Sequence, residues 1–243
     1  MSTKNIITSF DRAVKYSFNV VAIGKEKKPI TAWKQFQERS QTEQERAEQR
    51  ELLKQGNAST IAIINGIANL VAIDVDAIDK TKPIPHTFVV SLLQKLNLPS
   101  NYAWSWRSVS GAGWHIWLIV PDLPDSEKLR ILTQDTLRKN DFHNSDSIRA
   151  IEIRSRRLYT IIPPRVTIPE TPPSAVTWKT LLTVFSLETF RVQEVNNTVK
   201  RQVTPRDRYY AFAALSKAAQ RVANAAEGTR NNTLFYEARN IGR

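Results

Sequence analysis

Seven short runs rich in β-branched and aromatic residues constrain this chain more than any other feature. Asn19–Ile23, Thr60–Ile64, Leu70–Val75, Ala103–Ser108, Trp114–Val120, Ile148–Ile153 and Leu158–Ile162 each read as a strand. Three neighbouring pairs are separated by five residues or fewer, whereas a parallel pair needs a crossover of about a dozen residues. Asn65-Gly66 marks a turn that makes Thr60–Ile64 and Leu70–Val75 a hairpin. Helical patterns fall at Thr42–Gln55, ended by Gly56, at Pro85–Leu96, and at Ser126–Lys139, opened by an Asp125 or Ser126 cap. The expectation is an α+β domain on a mainly antiparallel sheet, and a doubly wound parallel sheet fits less well.

The chain divides by composition. Pro163-Pro164, Pro169 and Pro172-Pro173 interrupt helix and central strand alike. From Arg206 the text becomes Ala-rich and helical, with Gly228 as a stop. This gives a catalytic domain over 1–175, a linker with a short helix over 176–205 and a basic helical unit over 206–243. The chain stops within a helical pattern at Ile241-Gly242-Arg243, as expected of part of a longer protein.

Lys and Arg number 35 against 23 Asp and Glu in 243 residues, a formal charge of +12. Residues 200–243 hold nine basic and three acidic side chains, +6, so half the excess lies in under a fifth of the length. Such a chain either meets a polyanion (nucleic acid, an anionic membrane surface or polyphosphate substrates) or tolerates self-repulsion. A positive helix surface tracks nucleic-acid phosphates, which makes Arg206, Arg208, Lys217, Arg221 and Arg230 the candidate DNA-binding side chains, the alternative being a solvated linker helix. The absence of Cys excludes disulfides, thiol nucleophiles and Cys-ligated zinc or iron–sulfur sites. Neither G-x-G-x-x-G nor a P-loop occurs. No apolar run is long enough to span a membrane, and Met1–Asp11 lacks the core of a signal peptide, so a soluble cytoplasmic protein is expected.

Three constellations could carry chemistry. In Leu70-Val71-Ala72-Ile73-Asp74-Val75-Asp76 the two Asp share one strand face, and a divalent cation would relieve their repulsion. The alternative is a strand ending in two solvated Asp. In Ser110-Gly111-Ala112-Gly113-Trp114-His115 a Ser/Gly loop brings backbone amides to an anion, with His115 on the face shared by Gly113 and Trp117. The alternative is an ordinary turn and a sheet histidine. In Ile151-Glu152-Ile153-Arg154 the acid is either a third metal-facing carboxylate or half of a Glu–Arg pair. Trp104, Trp106, Trp114 and Trp117 crowd two strands, so at least half belong to the core.

Taken in order, Lys28-Pro29 to Trp33-Lys34, Gly66, Asp74-Val75-Asp76, Ser110 to His115, and Ile151-Glu152-Ile153-Arg154 ending in Ile162-Pro163-Pro164 resemble primase-polymerase (prim-pol) domains. These belong to the archaeo-eukaryotic primase superfamily, found in replication proteins of plasmids, viruses and phages, and the resemblance covers roughly residues 15–165. It implies an RNA-recognition-motif-like catalytic sheet, metal-bound acids at Asp74, Asp76 and Glu152, and a nucleotide-phosphate-binding His115. The helical tail is similar to segments joining such domains to a helicase, fused or separate. Two departures stand out: the third acid is Glu rather than Asp, and Ser155-Arg156-Arg157-Leu158 replaces a glycine-rich turn.

What the resemblance implies is a template-directed nucleotidyltransferase, a DNA primase and polymerase. It would use two Mg²⁺ or Mn²⁺ ions to add NTPs or dNTPs on single-stranded DNA. Ser110, Gly111, Gly113, Arg107 and Lys28 join His115 as candidates for the nucleotide phosphates. The same acids would serve a metal-dependent phosphodiesterase, and a non-catalytic single-strand-binding initiator is the other alternative. Initiators of the nicking type usually need paired metal-binding histidines, and no His-x-His occurs.

Overall fold

The computed structural model describes residues 3–139 and 145–185, together with 220, 221, 223 and 224. The chain forms two compact units, residues 1–189 and 190–243. In the second, Arg221 is helical and exposed; Arg206, Arg208, Lys217 and Arg230 lie outside the described residues.

The first unit holds two sheets. The smaller comprises β1 (Val20–Ile23), β2 (Thr60–Ile64) and β8 (Tyr159–Ile161), in the order β1-β2-β8. The larger comprises β3 (Leu70–Ala77), β4 (Ser105–Arg107), β5 (Trp114–Ile119), β6 (Leu129–Thr133) and β7 (Ile148–Arg154), in the order β4-β5-β3-β7-β6. Every pairing between these strands is antiparallel, so the α+β architecture expected from short connections is the one observed.

Around the sheets lie α1 (Thr3–Lys15), α2 (Glu43–Lys54), α3 (His86–Lys95), α4 (Gln134–Lys139) and α5 (Trp178–Val184). Helix α2 starts at Thr42, whose hydroxyl accepts from the Glu45 amide while the Glu45 carboxylate accepts from the Thr42 amide. Arg39 grips the same carboxylate and, with the Thr42 bonds, lowers Glu45 to a pKa of about 2. Helix α1, for which the sequence reading assigned no element, buries Ile6, Phe10 and Ala13.

Two expectations are corrected. Thr60–Ile64 and Leu70–Val75 do not form a hairpin: β2 pairs with β1 and β8, whereas β3 pairs with β5 and β7. Both runs are almost wholly apolar, and β2 is buried at every residue. Such strands need cover on both faces, which a two-stranded ribbon cannot supply. Between them Gly66, Ala68 and Asn69 adopt left-handed backbone, at φ 91°, 53° and 57°. At Gly66 a Cβ would stand 2.7 Å from Arg156 Cγ and 2.9 Å from the Ser155 carbonyl, so only glycine fits this crossing.

Ser126–Lys139 is not one helix either. Leu129–Thr133 is the edge strand β6, and helix begins only at Gln134. Apolar positions 129, 132 and 137 suit a helix, but the outer edge of β7 offers five residues of ladder pairing. On β6 Leu132 turns into the core, and Arg130 lies over the Trp178 ring at 5.5 Å while pairing with Glu127.

All four tryptophans of β4 and β5 and their approach are buried. Trp104 meets Tyr16 and Phe18 edge-on, and Trp114 stacks on His86 of α3 with ring centroids 5.3 Å apart. These contacts fix β4 and β5 from both sides, and so hold the strand that carries His115.

Candidate active site

Residues directly opposite in an antiparallel ladder share a face. In the large sheet Asp74 of β3 stands opposite His115 of β5 on one side and Glu152 of β7 on the other. The row continues to Trp106 of β4 and Ile131 of β6. Asp76 lies one step along the same face of β3, opposite Ala150. The structure thus brings Asp74, Asp76, Glu152 and His115 together, as the two-residue strand period requires once the register is known.

Alternation also explains the scaffold. Val71, Ile73 and Val75 point to the other face and are buried, so the acids ride on a strand anchored by its apolar neighbours. Gly113 makes the next strand fit: a Cβ there would lie 2.4 Å from the Val75 carbonyl, between the two Asp positions. Any side chain at 113 would push β3 or the 108–113 loop aside.

The acids are held by basic side chains. His115 Nε2 is 3.4 Å from Asp74 Oδ1. Arg154 Nη1 reaches Asp74 Oδ2 at 3.4 Å and Glu152 Oε2 at 3.2 Å, while its Nη2 donates to the Tyr159 carbonyl at 2.9 Å. Arg149 pairs with Asp76 at 2.7 Å. Burial alone would raise the Asp74 carboxyl, but His115 and then Arg154 outweigh it and keep the group below its ordinary value. Glu152 goes the other way: burial, with Asp74 and Asp76 adding repulsion, raises it against the pull of Arg154.

A cleft of about 300 Å³ opens over Asp74 and Asp76. His115, Arg154 and residues 108–110 line it from the large sheet, and Tyr159, Thr160 and Ile161 line it from β8. Lys27 and Lys80 complete the wall. The loop amides of Gly111, Ala112 and Gly113 are already committed, to the Ser108 carbonyl, Ser110 Oγ and Ser108 Oγ respectively. Gly111 turns the loop at φ 82°.

The remaining sequence candidates sit elsewhere. Arg107 donates to the Ile84 carbonyl at 2.8 Å and lies 4.4 Å over Trp114; burial and then Arg165 lower its pKa. Lys28 is exposed and pairs with Glu26, while its neighbour Lys27 faces the cleft with left-handed backbone at φ 61°. Sequence reasoning missed Lys27, Lys80 and Tyr159, which no spacing singles out. Arg154 was legible as a same-face neighbour of Glu152, but its bridge to Asp74 depends on register.

Three carboxylates on one partly buried face suit a hard divalent cation, Mg²⁺ or Mn²⁺, in donor type. Among the described residues no three His, Asp or Glu side chains gather into a ready-made metal cage. Mg²⁺ commonly takes only one or two carboxylates plus substrate phosphates, so the donors present fit a metal that arrives with a nucleotide.

Fold and site define an α+β domain with a carboxylate row on an antiparallel sheet beside a cationic cleft. The family model for the bifunctional DNA primase/polymerase N-terminal domain, Prim-Pol, matches residues 12–184. The chain belongs to this family. Comparison with curated proteins finds no match. No helix among the described residues is long and apolar enough to cross a membrane.

Proposed function

We propose that this chain is a template-directed nucleotidyltransferase that primes and extends on single-stranded DNA, taking NTPs or dNTPs. The observation that carries the reading is the ladder row His115–Asp74–Glu152, of which His115 and Asp74, with Asp76 beside them, line a cleft whose other walls bear Lys27, Lys80, Ser108 and Ser110. Membership in the primase/polymerase family supports it.

Asp74, Asp76 and Glu152 would hold two divalent ions, which when bound supply Lewis-acid activation of the attacking hydroxyl and charge neutralisation at the reacting phosphate. The chain's own residues do the rest. Lys27, Lys80 and the hydroxyls of Ser108 and Ser110 donate to the β- and γ-phosphates, placing hydrogen-bond donors where the leaving pyrophosphate gathers charge. His115, buried against Asp74, contributes a further donor and keeps Asp74 ionised. The basic unit beyond residue 190 grips template phosphates without reading sequence. A helicase activity, fused or separate, supplies the single strand, and the work takes place in the cytoplasm with the replicating DNA.

The test is an unprimed single-stranded template incubated with labelled NTPs or dNTPs and Mg²⁺ or Mn²⁺, resolved on a sequencing gel. Template-dependent ladders are expected. Cleavage of labelled strands in a parallel reaction without nucleotides, and no ladder with them, would make the protein a phosphodiesterase instead.

A further inference from the structure

We infer that Arg154 is a displaceable counter-cation that bridges Asp74 and Glu152, two carboxylates that would help hold a divalent ion, and releases them when a nucleoside triphosphate enters the cleft. The inference rests on the proposed nucleotidyl-transfer site and adds an order of loading to it.

One guanidinium nitrogen lies within 3.4 Å of Asp74 and 3.2 Å of Glu152, so a single positive charge bridges the two carboxylates that stand opposite across the β3–β7 ladder. The bridge is loose, since both distances exceed the 2.7–2.9 Å of a strong charge-assisted bond. The guanidinium is also incompletely satisfied: Arg154 Nε is buried and makes no hydrogen bond, while its Nη2 is tied to the Tyr159 carbonyl. The same side chain lines the cleft beside Lys27, Lys80, Ser108 and Ser110. A phosphate arriving there offers the guanidinium a doubly charged, bidentate partner, which Arg geometry favours over two long single contacts.

The consequence is coupling. Without nucleotide, Arg154 opposes a divalent ion by like charge, standing against Asp74 Oδ2 and Glu152 Oε2. With a triphosphate bound, the guanidinium turns to phosphate and the carboxylates become free for metal. The two ligands then strengthen each other's binding, reciprocally.

The test measures Mn²⁺ binding by electron paramagnetic resonance on the full chain, with and without a non-incorporable dNTP analogue. Free Mn²⁺ is corrected for the analogue's own chelation. For the unaltered protein the analogue is expected to tighten Mn²⁺ binding about tenfold or more, the scale of ordinary coupling between sites. Arg154→Met should bind Mn²⁺ about tenfold tighter without nucleotide, with the coupling largely gone. Arg154→Lys, which keeps the charge, should stay near the unaltered protein. Arg154→Gln carries the same expectation as Met should Met fail to fold. Asp74→Asn should abolish Mn²⁺ binding in every background. If Asp74→Asn loses the metal but Arg154→Met and Arg154→Gln bind it no tighter, the counter-cation inference is overturned and the metal site stands. Mn²⁺ binding unchanged in Asp74→Asn would overturn both.

Discussion

The two sheets of the first unit differ in sequence and do different work: the small one carries no charged side chain, the large one carries acids and arginines on β3, β4, β6 and β7. β1 and β2 are buried at every position, whereas β3 is buried only up to Ile73 and then alternates through Asp74, Val75 and Asp76, and β7 alternates along much of its length. The small sheet carries no carboxylate, yet β8 supplies one wall of the cleft. The candidate site sits where a strand keeps one face anchored and opens the other, and the buried strands β1 and β2 serve as rigid support behind β8.

Substitutions in the two sheets should therefore separate activity from stability. The largest effect is expected from Asp76→Ala: nucleotide incorporation falls on the order of 10³-fold, the loss of a ligand from a metal-assisted site. The midpoint of chemical unfolding should barely move. Ile63→Ala in β2 should do the reverse, removing about 2–5 kcal/mol of unfolding free energy while the rate per folded molecule stays near normal. A comparable loss of rate in both variants would erase the distinction between the sheets. His115→Ala comes next, weakening nucleotide binding by about 1.5–3 kcal/mol in a titration that leaves template affinity unchanged. Unchanged nucleotide affinity and turnover would reduce His115 to a buried sheet residue.

The smallest effects sharpen the contrast inside the acid row. Asp74 is held below its ordinary pKa, so its ionised form favours the folded state above the unfolded value, and that contribution is lost as pH falls through the lower, folded value. Asp74→Asn should accordingly lower the melting temperature at neutral pH, with the deficit vanishing in strong acid. Glu152 is held above its ordinary pKa, so its ionised form costs stability above the folded value and costs nothing below the unfolded one. Glu152→Gln should raise the metal-free melting temperature slightly at neutral pH, with the gain gone below about pH 4, while incorporation is lost. Shifts of the same sign in both variants would contradict the charge arrangement described.

Much of the site was legible because it lies on short-range periodicity. Asp74 and Asp76 share a face by the period of two, and Glu152 sits between two inward Ile on a run that can only be a strand. What the sequence withheld is register and partner choice. β2 and β3 were readable as strands but not as members of different sheets, because an Asn-Gly turn and two apolar runs look the same in either case. The β6 residues Leu129 to Thr133 read as helix by their apolar spacing, and only the ladder formed with β7 makes them a strand. Lys27 and Lys80 reach the cleft through tertiary placement alone, with no pattern around them.

The most direct test of the acid row as the catalytic centre is single-turnover addition of one nucleotide to a primed template by the unaltered protein and by Asp74→Asn, both checked for fold by circular dichroism. With template and nucleotide saturating, the account predicts a rate at least about 10³-fold lower for Asp74→Asn, with template binding intact. A rate within a few-fold of the unaltered protein would contradict it and move the reaction away from the β3–β7 face.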